Sequence, residues 1–545
     1  MKKQYKIAGL ACTLFLASMI LVLVLASCKK NYLAEKPYSS YSPATLADSL
    51  GFEASINGLY NLMSSFLTYS DHQGWPDVWQ VGTDVAFATQ PEGIEVPYYN
   101  YTTLISTDGA ASYTWSWAYK MINNTNAIIA NVESPSLIGM SAGNKTATEG
   151  EAKFFRAYAY EMLAICFGGV PIVTQPTSVP KTNYTRASLD SVNLLIAADL
   201  NYAATNLPDI EAVKTNTAGK MYGRANKYMA MQLLAECYLR MGKGDLAEQQ
   251  TKAIINSNQF SLNSTRFGVH ATQPGDPFSD LFVYGNERRK QGNKEAIWVL
   301  EQENPATVVG GNTGSAQQRR NWGAAYYQKV GMAVCDSLGG RGIARLRLSN
   351  WVLYNLYDAG DMRNSKYNIR RQFWYNDPAV PATYGKPVPY VGSDTVYFIC
   401  PHTTKWYQFD PNDVFGFAMI KDFMMMRLGE TYLLQAEAQV QQGHLPDAAA
   451  SINALRARAG APTVSSGQMT LDFILDERAR ELIGEENRRL TLMRTGKLVD
   501  RTLALNSNTV LFPVSGLTSK NLLMPIPQSE IDLNKDAKLT QNPGY

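Results

Sequence analysis

RANKYMAMQLLAECYLRMGKGDLAEQQTKAII, Arg224 to Ile255, is the stretch that decides the fold class. Leu233, Leu234, Cys237, Tyr238 and Met241 fall on one face of a helix, Gly242 interrupts the period, and Leu246, Ala247 and Ile254 resume it. Two apolar stripes on either side of a glycine stop predict a helical hairpin. A second hairpin is predicted far downstream in TYLLQAEAQVQQGHLPDAAASINALRARAG, Thr431 to Gly460. Glu236, paired with Ala235, stands six residues before Gly242, and Ala247 follows it by five; Ala436-Glu437, Gly443 and Ala448 reproduce both spacings. Small residues alternating with large ones let paired helices approach closely, as in tetratricopeptide-like units, although these two are not tandem.

Between the hairpins, residues 260–420 are rich in Gly, Pro, Asn and aromatics. That stretch is too irregular for repeats and too aromatic for disorder, so long ordered loops are expected, the usual place for recognition. The chain holds 31 Tyr and 9 Trp, more than its core needs, so some of these rings are expected at the surface. Beyond the second hairpin, DERARELIGEENRRLTLMRTGKL, Asp476 to Leu498, is the strongest charge pattern. Its carboxylates invite a glycosidase reading, which needs two acids across a cleft. Yet Glu477, Arg478, Arg480, Glu481, Glu485, Arg488 and Arg489 alternate in sign at helical spacings, which predicts ion pairs along and between helices.

The amino terminus reads as an export signal. Lys2, Lys3 and Lys6 precede an apolar stretch from Ile7 that meets no charge before Lys29. It is long enough to weigh a retained spanning helix, but it ends in Leu25-Ala26-Ser27-Cys28, which resembles a bacterial lipobox, with Cys28 as the thiol that accepts a diacylglyceryl group. Lipidation is therefore expected over a retained helix or a soluble cleavage product. Residues 29–45, mostly polar with Pro37 and Pro43, read as a tether. The organisation predicted is a signal peptide at 1–27, a lipidated tether at 28–45 and one large domain at 46–545, with helical scaffold at 46–258 and 420–545 and a loop-rich insertion at about 260–420.

The formal charge of +3 resides in the three lysines of the signal, so the chain beyond it is balanced and gives no support for nucleic-acid binding. Cys166, Cys237, Cys335 and Cys400 are widely spaced singles with no zinc or redox pairing, and the first two sit on apolar helical faces as expected packing residues. His72, His270, His402 and His444 stand in no metal-binding pattern, and no metal or cofactor is expected. There is no nucleophile elbow, phosphate loop or dinucleotide fingerprint; Gly339-Gly340-Arg341-Gly342 lacks the Lys-Ser/Thr of a phosphate loop and reads as a turn.

Several segments in order resemble the SusD/RagB family of nutrient-binding outer-membrane lipoproteins from Bacteroidetes. NYLAEKPYSSYSPATLADSLGFEASINGLYNLM is similar to that family's opening, SWAYKMINNTNAIIANVE to the helix that follows, and GEAKFFRAYAYEMLAICFGGVPIV to its most recognisable motif. ETYLLQAEA, INALRARAG, ERARELIGEENRRLTLMRTGKL and a closing LLMPIPQSEIDLNKDAKLTQNPGY complete the series. The resemblance implies a mostly α fold, a SusD-like helical scaffold with tetratricopeptide-like helix pairs and a loop-rich recognition region. It departs at Glu486-Asn487 and Arg488-Arg489-Leu490-Thr491, where the family usually has Glu-Gly and an Arg-aromatic-x-Asp run, and at Lys29-Lys30, where surface lipoproteins often carry acids.

The function implied is non-catalytic: capture of oligosaccharides, or in some members peptides, and delivery to a SusC-like TonB-dependent transporter at the outer membrane. A hydrolase of the same nutrients is the alternative class, and no catalytic constellation supports it. Sugar rings stack on Trp and Tyr faces while Asp, Asn and Arg bond their hydroxyls. The expected ligand-binding residues are Trp75, Trp79 and Asp84 from GWPDVWQVGTD with Arg320, Trp322, Tyr326 and Tyr327 from QQRRNWGAAYYQKV. Trp322, between polar residues and Gly323, is expected to be an exposed ring; Trp374, Tyr375 and Trp406 are the next place to look.

Overall fold

Helix caps set the starts of the scaffold helices. In the computed structural model, which describes residues 46–545 apart from 47, 70–72, 91, 135–136, 138, 178, 312–313, 409–412, 417 and 507–510, helix α1 (Ser49–Leu67) begins where the Asp48 carboxylate accepts from Gly51 N at 2.8 Å. Asp108, Ser141 and Ser188 do the same for α2 (Gly109–Val132), α3 (Ala142–Phe167) and α4 (Leu189–Asn206). Each such cap satisfies an orphan amide and contributes about 1 kcal/mol. The segments expected to be a signal peptide and tether, to residue 45 and including Cys28, and His72 lie outside the described residues.

Both predicted hairpins form. The first is α5 (Lys227–Arg240) and α6 (Gly244–Ile255); the second is α7 (Leu428–Gln441) and α8 (Leu445–Arg458). They stop identically. Gly242 and Gly443 adopt φ of 70° and 76°, and the following amides, of Lys243 and His444, reach back to Tyr238 O at 2.8 Å and Gln439 O at 2.9 Å. This left-handed cap is strained for any residue with a Cβ. The repeat in the sequence is thus a repeat of the chain-reversal geometry, and the two hairpins, far apart in sequence, pack against each other through α6 and α7. Gln439 of α7 and Gln442 just past its end both donate to the Glu248 carboxylate of α6, at 2.9 Å each.

Three short antiparallel ladders tie the loops to this scaffold: β1 (Ala86–Ala88) with β3 (Leu346–Leu348), β2 (Ala296–Leu300) with β6 (Phe423–Arg427), and β4 (Ile369–Arg370) with β5 (His402–Thr403). The β2–β6 ladder brings the two ends of the loop-rich stretch together beside α7. One apolar core runs from Leu46 to Leu539 and includes loop residues Trp298, Trp322 and Leu346, while a smaller cluster around Tyr326, Phe373 and Cys400 serves the outer loops. Cys166 and Cys237 are buried, as expected of packing residues, and burial pushes the Cys237 thiol up to about 12.

The charged segment forms α9 (Leu471–Leu482), α10 (Arg488–Arg494) and α11 (Leu498–Leu505). Its acids are occupied by arginines, as the alternation predicted. Glu477 meets Arg363 at 2.8 Å, Arg456 at 3.0 Å and Arg480 at 2.8 Å; Glu481 meets Arg427 at 2.6 Å, Arg363 at 3.1 Å and Arg458. Burial by itself raises such carboxyls, but the surrounding guanidiniums overcome it and hold both below the usual range. Thr491, at the position where the family carries an acid, donates to Glu486 at 2.9 Å.

Candidate functional site

The amino-terminal aromatic loop is pulled inward by the carboxy-terminal helices. Arg489 of α10 spreads its guanidinium over Val78 O (2.7 Å), Val81 O (2.5 Å), Tyr98 O (2.9 Å) and the Tyr101 hydroxyl (2.6 Å). Asp84 is completely buried, with Arg488 on both oxygens at 2.9 and 2.7 Å and Arg501 at 2.8 Å. So anchored, Trp75 sits edge-on to Phe66, Trp79 and Tyr113 and donates its indole N–H to Phe66 O at 2.5 Å. Asp84, Trp75 and Trp79, expected at a ligand, are interior residues in this conformation.

The second expected loop behaves likewise. Trp322 is 2% exposed, which corrects the expectation of an exposed ring. The physical reason is that its polar neighbours bond inward: Asn321 donates to Gln73 O at 2.6 Å and Asp77 at 2.9 Å, and Arg320 donates to Gln317 at 2.8 Å. Burial and the nearby Arg341 pull the Arg320 guanidinium down to about 10. Tyr326 is fully buried with its hydroxyl donating to Cys335 O at 2.9 Å, and only Tyr327 is half-buried, accepting from Arg341 at 3.2 Å. The two loop regions do meet: Trp75, Trp79, Trp322 and Trp406 line one pocket of about 180 Å³. Glu236 of α5 faces it too, and burial followed by the neighbouring Glu430 pushes its carboxyl up to about 8.

The aromatic surface lies elsewhere, on the excursion closed at its base by β4 and β5. Trp374 is 50% exposed and is the one exposed tryptophan among the described residues; Tyr354, Tyr384 and Tyr390 are 59%, 55% and 37% exposed. The chain reverses so that Val388 N donates to Phe373 O and Tyr375 N to Lys386 O, both at 2.9 Å. Side chains alternate across such a pairing. Phe373 and Val388 therefore enter the small outer core and Trp374 faces water. At its flank the Tyr354 and Tyr390 hydroxyls are 3.3 Å apart, and Arg347 donates to Tyr390 at 3.3 Å. Flat rings held by hydrogen-bonding neighbours are the elements of a sugar-stacking surface. Trp374 and Tyr375 stood second in the sequence reading; Tyr354, Tyr384 and Tyr390 were missed, and the signal that marks the last two is the Gly/Pro-rich ATYGKPVPYVGSD, which makes a turn that projects them.

The architecture is a scaffold of paired helices that carries long ordered loops. Residues 226–545 match the SusD_RagB family model, described as SusD family, and residues 31–239 match a SusD-like model described as starch-binding associating with outer membrane. The chain belongs to the SusD family. SusD-like protein P25 of Formosa agariphila is 23% identical, covering 95% of this chain and 96% of its own, and SusD-like protein P2 of the same organism is 25% identical over the whole of both. Among solved structures, a laminarin-binding SusD-like protein covers 91% of this chain and 100% of its own with a TM-score of 0.66 at 23% identity. A SusD homolog from Bacteroides thetaiotaomicron reaches 0.71 at 18% identity, covering 94% of this chain and 100% of its own.

Proposed function

We propose that this protein is a non-catalytic, lipid-anchored glycan-binding protein of the outer membrane, which captures oligosaccharides and hands them to a SusC-like TonB-dependent transporter. The observation that carries the binding step is the set of exposed rings Trp374, Tyr384 and Tyr390 on a loop excursion clipped to a rigid scaffold, with Tyr354 at its flank. Family membership and the laminarin-binding relative support sugars as the ligand class. Anchorage through Cys28 is supported by the lipobox sequence, and several acyl chains make such attachment stable where one does not. A binding rather than hydrolytic role is supported by the charged segment, whose Glu477 and Glu481 serve arginines in the core.

Calorimetric titration of the soluble domain with neutral oligosaccharides, run beside an assay of reducing ends, tests this. Binding without release of reducing ends is expected. Release of reducing ends establishes a hydrolase instead, and binding of peptides alone moves the ligand class. Mass spectrometry of the mature protein checks Cys28, and affinity capture from gently solubilised membranes checks the transporter.

A further inference from the structure

A second, larger pocket of about 480 Å³ opens between the segment 266–283, the turn at Asp336 and Ser337, and residues 366–370 at the base of the excursion. Its volume falls in the ~300–1,000 Å³ range of small-molecule sites. The charges that face it do not cancel. Arg266 is matched by Asp280 at 2.6 Å, and both Asp280 oxygens are used by it and by Phe267 N. Lys366 and Arg370 have no carboxylate partner among the described residues, and Asp336 is the only unmatched acid on the wall. Among the described residues that line the pocket, one positive charge is left over.

Arg370 is held in place by a buried chain of hydrogen bonds. Its Nε donates to the Tyr407 hydroxyl at 3.0 Å and Nη2 to Ser337 O at 3.2 Å. Tyr407 in turn lies 2.7 Å from His402 Nε2, and His402 Nδ1 lies 2.8 Å from Cys400 O. A carbonyl only accepts, so Nδ1 carries the proton; burial pushes His402 down to about 4, so the ring is neutral and Nε2 accepts from Tyr407. The Tyr407 oxygen accepts from Arg370. The glycine-rich turn finds its reason here. Gly339 has φ of 86°, and a Cβ on it would stand 2.5 Å from the Tyr407 ring, so only glycine lets that ring reach its position. Ordering a guanidinium by a neutral His–Tyr relay, with no carboxylate paired to it among the described residues, prepares it for an anion from outside.

We infer that this pocket is a second carbohydrate site, one that takes a sugar bearing a carboxylate or sulfate group. The anion meets Arg370 and Lys366, Tyr367 offers a ring face, and Gln273 and Thr404 offer polar groups to hydroxyls. The inference rests on the glycan-binding reading above and narrows it to acidic oligosaccharides.

Titration calorimetry with trigalacturonate and a sulfated carrageenan tetrasaccharide, against laminaritetraose as the neutral probe, tests it at two salt concentrations. At least one anionic probe is expected to bind about tenfold more tightly than the neutral one, with the advantage shrinking as salt rises. Arg370→Gln is expected to erase that advantage, and exposed Lys366→Ala, which leaves the relay intact, to reduce it about threefold. Trp374→Ala should weaken charged and neutral probes alike. Equal affinity for charged and neutral probes, or anionic binding indifferent to Lys366→Ala and Arg370→Gln, overturns the pocket assignment and leaves the glycan reading standing. Failure of every oligosaccharide to bind removes both.

Discussion

Two aromatic-rich loops leave the helical scaffold, one from Gly74 to Tyr101 and the other from Ile369 to Thr403, and they end in opposite surroundings. The first is drawn under the carboxy-terminal helices by Arg488, Arg489 and Arg501, and Trp75, Trp79, Tyr98 and Tyr101 become core. The second is tied at its base by a two-residue ladder and leaves Trp374 and Tyr384 in water. Aromatic content is similar in both. What separates them is how many of the loop's backbone carbonyls a distant cation takes: Arg347 reaches only Thr395 O of the second loop, whereas Arg489 takes three carbonyls of the first and so fixes where the rings beside them go.

Breaking the anchor should therefore abolish the difference. Arg489→Ala strands three buried carbonyls, and a loss of at least about 3 kcal/mol is expected, read by urea unfolding, together with a red shift of tryptophan emission as Trp75 and Trp79 meet water. An unchanged midpoint would show that apolar packing alone holds the loop. Next in size is Trp322→Ala. Removing a buried indole costs about 3–5 kcal/mol, and the low end is expected because the ring already borders a cavity. Glycan affinity should change little in the molecules that remain folded.

Trp374→Ala inverts the pattern. Stability should hold within about 0.5 kcal/mol, while glycan binding weakens about three- to tenfold, the worth of one stacking contact. Normal binding by this variant would take the site off the excursion. The smallest effect belongs to Glu236→Gln, in the cavity that the first loop closes. The Glu236 carboxyl is raised to about 8 from an ordinary 4.5, so its protonated form favours the fold: stability is full below pH 4.5 and lost as the pH rises toward 8. The glutamine variant should match the parent at pH 4 and melt a few degrees higher at pH 8. The opposite sign holds for Glu481, whose contribution is present above pH 4.5 and lost in acid.

How much of this the sequence displays depends on the range of the interaction. The hairpins at Gly242 and Gly443 are local: period, stop and small residues all lie within one segment, and the structure repeats even their capping bonds. The ion pairs of Glu477 and Glu481 were half legible, because alternating charge announces pairing, yet the partners Arg363 and Arg427 come from other elements. The candidate site was least legible. GWPDVWQVGTD and QQRRNWGAAYYQKV read as surface because their polar residues look solvated, whereas Asp84 and Asn321 bond inside the protein to partners remote in sequence and Arg320 bonds back to Gln317 of its own segment. ATYGKPVPYVGSD projects its tyrosines for a local reason, a Pro/Gly turn, and that much was there to be seen.

The clasp between Asp84 and Arg488 spans 404 residues, and that with Arg501 spans 417. Loop-closure entropy rises with the logarithm of such a span, and contacts this distant form late in folding. A chain emerging amino terminus first carries its tryptophan-rich loop uncovered until α10 and α11 arrive. During that interval the loop lies open to proteases and to other chains, and removing those two helices would take away the arginines that draw it inward.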